Sequence, residues 1–113
     1  MNGRLFYPKS RRLDEARVAA AFRNKPVARS RYFLAYRSGN GRMYARLGMV
    51  VPKRLLGRAV DRNRVKRLVR ERFRIAQAAI AGHDWLIRLV KAPVGRAEVS
   101  ADVDVLFREA NAD

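Results

Sequence analysis

Arg58-Ala59-Val60-Asp61-Arg62-Asn63-Arg64-Val65-Lys66-Arg67-Leu68-Val69-Arg70-Glu71-Arg72-Phe73-Arg74 is the stretch on which the reading of this chain turns. At about 100° per residue, Leu68, Val69 and the following Ala76 fall within roughly 60° of Val65, so the spacing predicts a helix from Arg58 to about Ala79 with one apolar face. Asn63, Arg67, Arg70 and Arg74 fall opposite and form an outward ridge. Eight cations stand in this run against Asp61 and Glu71 alone, and those two carboxylates are expected to pair with neighbouring arginines.

Before this helix, Pro52 to Gly57 is a basic connector carrying Lys53 and Arg54. Met43 to Val51 reads as a strand, with Leu47, Met49 and Val51 on one face and Arg46, Gly48 and Val50 on the other. Arg31 to Arg37 alternates Tyr32, Leu34 and Tyr36 with Phe33 and Ala35, a second strand rich in β-forming aromatics. Ser38-Gly39-Asn40-Gly41 between them predicts a hairpin. Further upstream, Asp14 can cap a short helix through Val18 and Phe22 that Pro26 closes. After the basic helix, Gly82 ends the helical pattern and Trp85 to Val90 reads as a buried strand. Pro93 and Gly95 then break the chain before a last helix capped by Ser100, with Val103, Leu106 and Phe107 facing inward.

The expected order is helix, strand, strand, helix, strand, helix, an α+β single domain over residues 1–113. Residues 1–12 read as a flexible basic and aromatic segment, and the last few residues as a frayed end. Lys and Arg outnumber Asp and Glu by 26 to 10, a net charge of +16. Such self-repulsion points to an anionic partner that neutralises it, and polyphosphate is the leading candidate. No run of about 20 apolar residues, lipidation signal or secretory signal is present, so the expectation is a cytoplasmic protein without a membrane role. The chain has no cysteine and a single histidine, His83, which reads as a solvated loop residue. Paired carboxylates, a nucleophile with its base and a metal-ligand cluster are not apparent, so no catalytic residue and no metal ligand is assigned.

A solvated amphipathic helix mixes both signs of charge, whereas this one is nearly all arginine, whose planar guanidinium suits phosphate and base stacking. Asn63 can offer a donor and an acceptor to ribose or base edges. A structural RNA-binding protein of ribosomal type and a nuclease acting alone are the competing readings of the same charge.

The run Leu47-Gly48-Met49-Val50-Val51-Pro52-Lys53-Arg54, followed by Ala59 to Glu71 with Arg62-Asn63-Arg64 and Lys66-Arg67 at its centre, resembles the bacterial ribonuclease P protein component. Asp84-Trp85-Leu86-Ile87 is similar to that family as well. The resemblance implies an α-β sandwich with a left-handed βαβ crossover, against the general right-handed rule. It implies that the catalytic centre lies in a partner RNA, which holds most of the magnesium of the holoenzyme, while the protein binds that catalytic RNA and the 5′ leader of precursor tRNA. No obligate protein partner and no cofactor bound by the protein alone are implied. On this basis Lys53, Arg54, Arg58, Arg62, Asn63, Arg64, Lys66, Arg67, Arg70 and Arg74 are the expected contacts to the catalytic RNA. Val18, Phe22, Leu34, Tyr36, Arg46, Gly48 and Val50 are the expected lining of a leader cleft. Val18 departs from the aromatic that the family usually carries there, and both Phe22 and Tyr36 have a core reading beside the cleft one.

Overall fold

The computed structural model describes residue 23 and residues 25–111. The expected first helix, with Val18 and Phe22, the segment 1–12 and the last two residues lie outside them.

The described chain forms β1 (Ala28–Arg29), β2 (Phe33–Gly39), β3 (Arg46–Val50), α1 (Ala59–Ile80), β4 (His83–Leu89) and α2 (Arg96–Ala110). The sheet order is β1-β2-β4-β3. β4 runs antiparallel to β2 and parallel to β3, so β3, α1 and β4 make a βαβ unit. The mixed sheet with its helices is an α+β fold.

The expected hairpin is not formed. β4 lies between β2 and β3, and residues 40–45 carry the chain across its start, where the Asn40 amide donates to the Gly82 carbonyl at 3.0 Å. Strands separated by a third stand about 10 Å apart, a gap that six residues bridge. Gly-Asn-Gly chemistry reports that the chain turns, and it carries no information about which strand becomes the neighbour.

Alternation sorts the sheet into two faces. Phe33, Ala35, Leu47, Trp85, Ile87 and Leu89 point into the main core, where Val65, Val69, Phe73 and Ile80 of α1 and Val99, Val103, Leu106 and Phe107 of α2 cover them. Trp85 is fully buried, its indole Nε1 donates to the Ile80 carbonyl at 3.0 Å, and its ring meets Phe107 edge-on at 5.8 Å. Leu68 and Ala76 pack at the rim of this core as their spacing requires. Phe73 and Ile80, beyond the four positions that the spacing picked out, move the centre of the buried stripe toward their side of the helix.

α2 begins at Arg96 after Gly95, so Ser100 lies inside the helix and does not cap it. Three acidic residues of this helix serve the fold. Asp102 accepts from the Ser30 hydroxyl and from the Arg31 and Tyr32 amides at 2.7–3.0 Å, closing the β1–β2 turn. Glu98 accepts from the Tyr32 hydroxyl at 2.9 Å, which raises that phenol above the ordinary tyrosine range. Asp104 takes a two-pronged contact from Arg72 at 2.6 and 2.8 Å, joining α2 to α1 and holding the guanidinium firmly charged. His83 is the first residue of β4, half-buried with its ring edge toward Trp85, and not a loop residue.

Candidate nucleic-acid interface

Charge is distributed by the ends of the sheet. β2 starts where β4 and β3 finish, because Phe33 pairs with Leu89 and Val50 with Arg88. The connector carrying Lys53 and Arg54, the start of α1 with Arg58, and the β4–α2 linker with Lys91 therefore share one end of the molecule, all exposed. Arg58 makes only a loose 3.9 Å pair with Asp61. Asn63, Arg64 and Arg67 are exposed on the first turns of α1. The β1–β2 turn brings Arg31 to the same end, exposed beside Glu98 at 4.0 Å. Arg31 and Lys91 were not expected from the sequence, because only strand pairing brings positions so distant in the chain together.

Four of the residues expected to contact the catalytic RNA are placed differently. Arg62 turns back, its Nη1 donating to the Leu56 and Gly57 carbonyls at 2.9 and 2.8 Å, so it fastens the connector to the helix. Arg70 and Arg74 are half-buried with their Nε atoms shielded from solvent, and Arg74 also donates to Glu71 at 3.0 Å. The shift of the buried stripe toward Phe73 and Ile80 leaves Arg70 on the flank of the helix and not on its crest. Lys66 is half-buried on that flank too.

The sheet face opposite the helices holds the expected cleft residues in three cross-strand rows. Leu34, Arg88 and Val50 form the first, Tyr36, Leu86 and Gly48 the second, and Ser38, Asp84 and Arg46 the third. Leu34, Tyr36, Leu86 and Val50 form a second apolar cluster in which Leu86 is fully buried and Tyr36 is 7% exposed. The core component of Tyr36 is thus substantial. Arg88, half-buried in the first row, is a cation on this face that the reading of Trp85 to Val90 as a wholly buried strand missed. The alternation Asp84, Leu86, Arg88 was the available signal.

At the far end of that face Asp84 is 5% exposed. It accepts from Arg46 Nε and Nη2 at 2.8 and 2.9 Å and from Asn40 Nδ2 at 3.0 Å. Arg46 is accordingly neutralised within the protein. Among the described residues no three Asp, Glu, His or Cys side chains converge as a metal site would require, and no helix is long and apolar enough to cross a membrane.

The family model described as Ribonuclease P matches residues 7–111. The chain belongs to the ribonuclease P protein family. The ribonuclease P protein component of Ralstonia pickettii is 46% identical over 84 residues, 74% of this chain and 60% of that relative. That of an Azoarcus species is 43% identical over 97 residues, 83% of this chain and 78% of the relative. The chain thus spans about 60% of the length of the first of these relatives. Among solved structures, the RNase P protein of Staphylococcus aureus superposes with a TM-score of 0.80 at 26% identity, covering 90% of this chain and 96% of that one. The RNase P protein of Thermotoga maritima does so with a TM-score of 0.71 at 32% identity, covering 86% and 96%. The basic end and the three-row face are therefore features of a ribonuclease P protein.

Proposed function

We propose that the chain is the protein subunit of a cytoplasmic ribonuclease P, binding the catalytic RNA through its basic end and the 5′ leader of precursor tRNA on the sheet face, and so assisting endonucleolytic removal of the leader. The observation that carries this reading is the gathering of exposed Lys53, Arg54, Arg58, Arg64, Arg67, Arg31 and Lys91 at one end of a ribonuclease P fold. Exposed guanidinium groups are suited to paired phosphate contacts, and each phosphate neutralised releases counterions. The adjoining face offers Tyr36 beside Leu34 and Val50 with Arg88 among them, an apolar and cationic surface on which bases lie with little sequence preference. On the family resemblance, magnesium held mainly by the RNA supplies the water-activating chemistry, and this chain contributes binding and orientation.

The test is reconstitution of the chain with the catalytic RNA and precursor tRNA at low magnesium. Addition of the protein should raise cleavage and the affinity for leader-bearing over mature tRNA, and the protein alone should not cleave. Cleavage without RNA, or no effect of the protein on leader-dependent affinity, would overturn the proposal. Tyr36→Ala should lower affinity for leader-bearing substrate specifically, by about 1 kcal/mol or more. It should also lower the melting temperature, because Tyr36 is mostly buried.

A further inference from the structure

The loop between β2 and β3 holds the most exposed large apolar side chain among the described residues, Met43, 95% accessible. Beside it the Arg42 guanidinium lies 5.9 Å from the Tyr44 ring centroid and donates from Nη1 to the Tyr44 hydroxyl at 3.2 Å. Exposed methionine next to an arginine and tyrosine held together is a surface for a flat, polarisable, negatively charged ligand.

The loop is set in shape before any ligand arrives. The Asn40 carboxamide accepts from the Arg42 amide at 2.8 Å and donates to the Tyr44 carbonyl at 3.2 Å and to buried Asp84 at 3.0 Å. Gly41 supplies the positive φ of 66° that the turn requires. Little ordering entropy is then left to lose on binding.

Its position follows from the register. The loop follows the Ser38, Asp84 and Arg46 row, at the end of the sheet face opposite the basic connector and across a molecule whose α1 alone is about 33 Å long. Arg46 is neutralised by Asp84, which leaves Arg42 as an exposed cation at this end.

We propose that Arg42, Met43 and Tyr44 form a base-stacking finger for an unpaired nucleotide of the precursor leader, upstream of those on the sheet face. The inference rests on the leader-binding reading given above. A strand anchored at the basic end and laid along the face leaves the protein over this loop.

Holoenzyme reconstituted with the catalytic RNA tests it, using precursor tRNAs whose leaders are shortened one nucleotide at a time. An Arg42→Ala and Met43→Ala double variant, both positions exposed, and Tyr44→Leu are compared with the parent protein, with melting curves to check folding. Long-leader substrate should bind about fivefold more weakly to each, the low end for losing one base stack, while short-leader substrate and mature tRNA bind as before. If the parent protein prefers leader-bearing tRNA and the double variant keeps the full long-leader affinity, the finger falls and the sheet-face reading stands. Equal losses for mature tRNA would place the contact on the catalytic RNA or the tRNA body and overturn the inference. A parent protein with no leader preference would overturn both readings.

Discussion

Asp84 shows how one residue ties fold to site. Its carboxylate is buried at the start of β4 and is satisfied by the Arg46 fork and the Asn40 amide. A buried charge is tolerable when paired and costly when stranded. Arg46→Ala is therefore expected to destabilise the protein by about 3–5 kcal/mol, whereas Arg46→Met with Asp84→Leu should recover much of that loss. Chemical denaturation of the two variants checks this, and a small loss for Arg46→Ala alone would mean that Asn40 suffices to satisfy the carboxylate. The sequence showed Asp84 only as an acidic residue entering a strand and Arg46 only as a cation on an open face. Nothing local marks two residues 38 apart as partners, because the pairing exists only once β3 and β4 lie side by side.

Among the elements, α1 carries two kinds of arginine that its sequence does not distinguish. Arg64 and Arg67 face outward, while Arg62 holds the connector carbonyls and Arg72 holds Asp104. Replacing Arg64 and Arg67 with alanine should weaken binding to the catalytic RNA and reduce the dependence of log affinity on log salt by about 0.7–0.9 for each phosphate that is no longer neutralised. The melting temperature should be unchanged. Arg62→Ala should do the reverse, lowering the melting temperature by a few degrees because two connector carbonyls lose their donor, with a smaller effect on the salt slope. Salt titrations of RNA binding together with thermal melts separate the two sets, and a steep loss of salt slope for Arg62→Ala would return it to the interface. The existence and register of this helix were legible from Val65, Leu68 and Val69. Which arginines turn inward was not, since an arginine chooses between phosphate, carbonyl and carboxylate according to what packs within reach of its long side chain.

For the molecule as a whole, +16 on 113 residues sets folding and binding against each other. With Glu98, Asp102 and Asp104 of α2 already engaged by Tyr32, Ser30 and Arg72, the exposed cations repel one another in the absence of a partner. Added salt screens that repulsion and, on the proposed function, should also displace the protein from RNA. The melting temperature of the free protein is expected to rise with ionic strength while affinity for the catalytic RNA falls. At low salt, adding the RNA should raise the melting temperature by mass action. A free-protein melting temperature that falls with salt would show that internal ion pairs outweigh the surface repulsion.

The α+β class, the basic helix and its buried stripe, most of the strand faces, the excess of positive charge and the resemblance to the ribonuclease P proteins were legible in the sequence, although Tyr32, expected on the face of Leu34 and Tyr36, lies in the main core beside Phe33. These depend on periodicity, composition and short motifs, which act over a few residues. It took the folded chain to establish that β4 separates β2 from β3, that Lys91 and Arg31 join the connector at one end, that Arg46 is neutralised by Asp84, and that Arg62 serves the backbone. Each of these depends on which segments, distant or local, come to lie within reach of one another. Strand pairing is a competition between long-range partners for the same hydrogen bonds and the same core, and alternation within one strand is compatible with several neighbours.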